Sequence, residues 1–274
     1  MGATARERYA VVSCHVERPL DDAVWARFVA LQRRRPGGFP IAALMRPADL
    51  AFGEDETLWL ERARQAASLG PLGHHTHWTA PDHARPRTLV TDRHNPGFAQ
   101  PSAESSALVT DRHKAWGKRV SEEGRRLQGS GVVPTLFCGG GWYTDEEVAE
   151  ACAELGYVDC TPRARRPPYL GEDEKWASLA SPAIVELESG RTLAAIPTTH
   201  SLGDLARALP RRDLPDLVHL YFHDTDLLDA RRRALLRVVL LALARRAQVT
   251  DLDAFAARAL PTAPRVAWDD VARL

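Results

Sequence analysis

Three of the chain's ten histidines fall within four residues, at His74, His75 and His77. Alternate residues of an extended segment share a face. His75 and His77 would therefore point the same way, a spacing suited to chelating one ion through neutral imidazoles. The segment Ser13-Cys14-His15-Val16-Glu17 repeats that spacing with an imidazole and a carboxylate. Such a pair can share a metal or divide into ligand and base, and by itself it can also be a hydrated strand end. The apolar run Leu217 to Phe222 stops abruptly in His223-Asp224-Thr225-Asp226. His223 there reads as a general acid, with Asp224 placed to hold its tautomer. Asp224 and Asp226 also suit the start of a helix, one favouring its dipole and the other its cap. Finally, Gly139-Gly140-Gly141 precedes Trp142 and Tyr143. Glycines ahead of a helix let the backbone N–H groups of Gly141, Trp142 and Tyr143 approach an oxyanion closely. The tract has neither the lysine nor the spacing of a phosphate-binding loop.

These side chains need a scaffold, and the rest of the sequence supplies an alternating one. Tyr9 to Cys14 predicts a first strand, and Asp21 or Asp22 caps a helix with Val24, Phe28, Val29 and Leu31 at helical spacing. Pro36-Gly37-Gly38 ends it, and Pro40 to Met45 predicts a second strand. Helices are expected over Thr57 to Leu69 and Ser106 to Gln128, separated by a polar loop from Pro81 to about Ser105. A strand at Val132 to Phe137 follows, and Thr144 to Glu147 reads as a capping box for a helix closed by Gly156. Ser189-Gly190 predicts a hairpin between Ile184 to Glu188 and Thr192 to Ile196. A long helix over Leu227 to Ala247 and a short one capped by Thr250 complete the pattern. Strands alternating with helices make an α/β class, and no repeat or linker divides the chain, so residues 1–274 are expected to form one domain.

Composition excludes several classes. The 36 basic and 36 acidic residues balance, which argues against a dedicated nucleic-acid binder. The short clusters Arg33 to Arg35, Arg163 to Arg166 and Arg231 to Arg233 read as solvated faces, although the second could meet an anionic substrate. Val238 to Leu243 is the most apolar piece, and the arginines flanking it mark a buried helix and not a membrane span. Cys14, Cys138, Cys152 and Cys160 form no C-x-x-C pair, so reduced thiols and a cytoplasmic location are expected.

Taken in chain order, the segments resemble the NodB-type polysaccharide deacetylases, a carbohydrate-esterase-like superfamily, in the branch whose first motif reads Asp-Val-Glu. Val11 to Glu17 is similar to the first motif, and Leu72 to Trp78 to the histidine motif in its His-x-His-Trp form. Phe137 to Tyr143, with the helix ending Glu154-Leu155-Gly156-Tyr157, resembles the third. Ala195-Ile196-Pro197 resembles the fourth, and Leu220 to Asp224 the last. The resemblance covers nearly the whole chain. It implies a distorted (β/α) barrel with a β-hairpin insertion, and a divalent metal, usually zinc, at Glu17, His75 and His77. It also implies hydrolysis of an N-acetyl or N-formyl group on an amino sugar. The family's first-motif Asp is His15 here, and its third-motif Arg is Cys138. Losing both together is electrostatically coherent, because the Arg would otherwise face a possible cation. His15 is then the base with Glu17 on the metal, or His15 is a ligand and Glu17 the base.

Two further classes stay open: a deacetylase-fold protein that binds its ligand without hydrolysis, and a metalloenzyme of another reaction class. The expected partner is a small amino-sugar-like molecule, with no nucleic acid and no membrane. Nothing in the sequence sets the oligomeric state.

Overall fold

The computed structural model describes residues 7–50, 53–76, 106–166, 176–211 and 214–273. The expected loop at 81–105 and His77 lie outside them.

The strands are β1 (Tyr9–Val16), β2 (Ile41–Met45), β3 (Leu72–His74), β4 (Leu136–Phe137), β5 (Val158–Asp159), β6 (Trp176–Ala177), β7 (Ala183–Glu186), β8 (Thr192–Ala195), β9 (His200–Ser201), β10 (Leu217–His223), β11 (Gln248–Val249), β12 (Arg265–Ala267) and β13 (Ala272–Arg273). The helices are α1 (Asp22–Arg34), α2 (Glu56–Ala67), α3 (Ser106–Gly129), α4 (Glu146–Leu155), α5 (Leu202–Ala208), α6 (Ala230–Leu243), α7 (Leu252–Ala259) and α8 (Trp268–Val271).

Eleven strands form one mostly parallel sheet in the order β12-β7-β8-β5-β4-β3-β2-β1-β10-β9, with β11 added beside β1. The expected hairpin forms between β7 and β8, which pair antiparallel. Its second arm is no appendage, because β8 also pairs with β5 inside the main sheet. Beyond β8 the chain keeps bonding on both sides. Ile196 N–H donates to Asp159 O, Thr198 N–H to Pro162 O, and Thr199 N–H to His219 O. One continuous segment thus links β5 to β10, and the arrangement is barrel-like. No helix among the described residues is long and apolar enough to cross a membrane.

Alternation along β1 divides the core. Ala10, Val12, Cys14 and Val16 face outward onto a cluster with Phe28, Leu236, Val239 and Leu240 from α1 and α6. Val11 faces inward, packed in a cluster with Leu44, Leu136, Cys138 and Tyr221. Ser13 and His15 share its face, so β1 carries its polar residues into the sheet's interior. Parallel register then sets the height of each strand end: His15 lies opposite His223, Val16 opposite Met45, and Met45 opposite His74.

Several boundaries differ from expectation, each for a local reason. The strand expected from Val132 shrinks to Leu136–Phe137, because Pro134 has no N–H to give a ladder. Asp145, not Thr144, caps α4: its Oδ1 accepts the Val148 N–H at 2.8 Å, while Thr144 Oγ1 is buried without a partner. Asp251 replaces Thr250 as the cap of α7, and Asp229 caps α6 after a short 3-10 turn over Asp224–Leu227. Asp226 is therefore not the helix cap. Nor is α6 buried all round, since Val238 is 63% exposed and Leu241 50%.

Replacing Asp145 by Ala is expected to cost about 1 kcal/mol in urea unfolding, whereas Thr144→Val should cost nothing. An equal loss from the Thr144 variant would contradict the assignment of the cap.

Candidate metal and acid–base site

The site forms where β1, β3, β4 and β10 run out at the same edge of the sheet. His75 is the first residue past β3, and its N–H donates to Met45 O at 3.0 Å. Its ring is set by one bond: Nδ1 donates to the backbone carbonyl of Cys138 at 2.7 Å. A carbonyl only accepts, so Nδ1 carries a proton, and in the neutral ring Nε2 presents its lone pair. Cys138 itself follows β4, where Cys138 N–H donates back to His74 O at 3.0 Å. Two strand ends are thus clasped by reciprocal bonds.

His15 lies beside them, 2% exposed. Its ring centroid is 4.7 Å from that of His75 and 5.1 Å from that of His223, and its Nε2 is 3.7 Å from Cys138 Sγ. Burial, reinforced by the His75, His223 and His219 imidazoles and by Arg163, pushes the His15 pKa well below the ordinary histidine value. His15 is neutral at physiological pH. Donor atoms of His15, His75 and Cys138 all lie within 4.8 Å of one another, and all three residues are buried.

Glu17, just beyond β1, stands at the mouth of this group. Its Oε1 is 4.0 Å from His75 Nε2 and 3.6 Å from His223 Nε2. The carboxylate against the His223 ring is therefore that of Glu17. Asp224, expected to hold that ring, is fully buried and accepts the Arg18 backbone N–H at 2.7 Å. It pins the chain immediately after Glu17. Burial raises the Asp224 carboxyl to about 6, only partly offset by the Arg18 N–H.

The glycine turn also differs from expectation. Trp142 N–H donates to Gly139 O and Tyr143 N–H to Gly140 O, which removes both as oxyanion donors. Gly141 N–H makes no hydrogen bond among the described residues. A Cβ on Gly139 would lie 1.9 Å from Tyr143 O, so only glycine fits there. Gly141 and Trp142 both take positive φ, at 60° and 63°. For a tryptophan that backbone is strained, and the surroundings must hold it. They do so with stacked groups: the Trp142 ring lies 4.7 Å from Tyr221, and the Arg163 guanidinium is 4.5 Å above it. Tyr143 turns elsewhere, its hydroxyl donating to Asp145 Oδ2 at 2.5 Å.

Sequence reasoning missed three members of this group. Cys138 read only as a missing arginine, although it ends β4 on the interior face of Leu136. Tyr221 lies two residues before His223, on the same strand face, and alternation alone could have found it. Arg163, in a cluster that reads as a solvated face or as a partner for an anionic substrate, is 3% exposed.

A buried network behind β3 holds His75 in place. His74 Nε2 lies 2.9 Å from Glu123 Oε2 and 2.9 Å from Thr76 Oγ1, and Arg119 Nε donates to Glu123 Oε1 at 2.8 Å. Burial pushes the Glu123 carboxyl up, but the His74 bond and the Arg119 charge outweigh it and hold its pKa down at about 2. A depressed carboxyl stabilises the fold above its unfolded pKa and loses that contribution as pH falls. The protein should lose on the order of 3 kcal/mol between about pH 5 and pH 2 on this account. Glu123→Gln should already lack it at neutral pH and show a flatter profile in that window, measured by denaturant unfolding. An unchanged profile would contradict the assignment.

No family profile matches the chain, and no curated protein matches it. Among solved structures it is similar to the 4-alpha-glucanotransferase of Thermococcus litoralis, with 12% identity and a TM-score of 0.48 over 95% of this chain. The chain spans 40% of that protein's length. It is also similar to a candidate polysaccharide deacetylase involved in O-antigen biosynthesis in Bordetella bronchiseptica. There the identity is 14% and the TM-score 0.40, covering 92% of this chain and 91% of the other. Both scores are below 0.5, and neither likeness bears on the chemistry of the site.

Proposed function

We propose that the protein is a metal-dependent hydrolase of the NodB barrel type that removes an N-acyl group, acetyl in the first instance, from an amino sugar or sugar-like small molecule. The observation that carries this reading is the Glu17 carboxylate standing between His75 and His223 beside the buried His15–His75–Cys138 group. The order of motifs along the chain supports it.

The donor set fits a zinc-like ion. Two neutral imidazoles and a thiol sulfur suit a borderline-soft divalent cation, and three protein donors are the number that leaves a position open for chemistry. The tautomer of His75 is already that of a ligand, with Nδ1 engaged and Nε2 available. His77 is not needed to complete a set of three. When bound, the ion polarises the amide carbonyl and lowers the pKa of water at the site.

The remaining work falls to the chain's own groups. Glu17, partly exposed at the mouth of the site, takes a proton as general base. His15, held neutral in the interior against Cys138, serves as a ligand in this arrangement. His223 is 28% exposed in its side chain, lies 3.6 Å from Glu17, and gives a proton to the departing amine. The Gly141 N–H donates to the carbonyl oxygen as charge develops there. Asp224 acts one step removed, fixing Glu17 through the Arg18 backbone.

The test couples metal analysis to amine release from N-acetylated amino sugars. His75→Ala and Cys138→Ala should lose the metal. Glu17→Gln and His223→Ala should keep it while turnover falls by about a hundredfold or more. Amine release that persists in metal-free protein would refute the proposal, as would a protein that binds no zinc at micromolar levels.

A further inference from the structure

Arg163 is a buried cation with no counter-charge among the described residues. Its residue is 3% exposed, and its guanidinium lies 4.5 Å over the Trp142 ring and 5.0 Å over the Tyr221 ring. Nη1 donates to the Tyr221 hydroxyl at 3.0 Å, and Nε is buried with no acceptor. No carboxylate pairs with it among the described residues. Guanidinium does not deprotonate in proteins, so the charge stays on. Two aromatic faces and one neutral hydroxyl offset part of the desolvation cost, but a buried charge ordinarily needs an anion.

Its placement is not accidental to the site. Backbone bridges hold Arg163 on both sides: on one its N–H donates to Ala177 O at 2.9 Å and its carbonyl accepts from Leu179 at 3.1 Å, and on the other Thr198 N–H donates to Pro162 O at 2.8 Å and Ala164 N–H to Thr198 O at 3.0 Å. The two rings that contact the guanidinium are the same two that flank His15, at 5.1 Å and 5.4 Å. The Tyr221 bond occupies one terminal nitrogen, so the edge formed by Nε and Nη2 is the one left for a ligand. That edge matches the two oxygens of a carboxylate.

We propose that Arg163 is a specificity residue, and that the substrate is an N-acylated amino sugar bearing a carboxylate held by the Nε/Nη2 edge. This rests on the hydrolase reading for the N-acyl group, whereas the carboxylate follows from Arg163 alone. A neutral amino sugar would leave the buried charge uncompensated in the complex. A carboxylate-bearing one would satisfy it.

Calorimetric binding to the full-length protein separates the two ideas, because it does not depend on turnover. The probes are N-acetylglucosamine, its C6 uronate, its C3 lactyl ether and its 6-phosphate. At least one carboxylate probe should bind about tenfold or more tighter than the neutral sugar. In Arg163→Met the carboxylate probes should bind no tighter than N-acetylglucosamine does to the same variant, and Arg163→Lys should keep a reduced preference. The lysine variant retains the charge and guards against a methionine variant that fails to fold. The proposal is overturned if both carboxylates bind no tighter than the neutral sugar, if the phosphate binds tightest, or if the preference survives in Arg163→Met or is undiminished in Arg163→Lys. Tight uronate binding without hydrolysis would sink the hydrolase reading and leave this one standing.

Discussion

The 2.7 Å bond from His75 Nδ1 to the Cys138 carbonyl is the constraint on which the site depends. It settles three things at once. It joins the ends of β3 and β4, it sets the tautomer of His75, and it aims Nε2 toward His15 and Glu17. Were the ring turned over, the proton would sit where a ligand lone pair is needed. A backbone carbonyl is a dependable partner for this purpose, since neither pH nor rotamer exchange removes it.

Around that bond the chain arranges its buried polar groups in two layers with different tasks. The His74–Thr76–Glu123–Arg119 network is built around the Glu123–Arg119 ion pair, and it anchors the segment that carries His75. His15 and Cys138 inside the sheet are neutral by contrast. Burial holds His15 uncharged, and it raises the Cys138 thiol well above its ordinary range, with Cys160 and Asp159 adding to the effect. The cost of burying these polar groups is tolerable because the helices outside supply a large apolar cluster, and β1 separates the two environments residue by residue.

Much of this was legible in the sequence, and the limits are instructive. Alternation correctly placed His15 and Glu17 at one end of β1, and His223 at the end of an apolar strand. The hairpin at Ser189-Gly190, the stop at Gly156 and the long helix from Ser106 follow from local chemistry alone. Where two adjacent residues could both cap, as with Thr144 and Asp145 or Thr250 and Asp251, the carboxylate won each time. Its oxygens make charge-assisted bonds that a hydroxyl cannot match. Cys138 and Arg163 were misread for a different reason. Their roles come from strands distant in sequence, and nothing local distinguishes a buried arginine from a solvated one in a run such as Arg163 to Arg166.

Burial holds the Cys138 thiol well above its ordinary pKa, against the lowering by Thr161 and Arg163, and a bound metal would ionise it. Cobalt substitution reads it directly. If His15, His75 and Cys138 hold the ion, the Co(II) protein should show a thiolate-to-cobalt charge-transfer band that disappears in Cys138→Ser. A Co(II) spectrum with no thiolate band, or one unchanged in the Cys138 variant, would contradict the site described here.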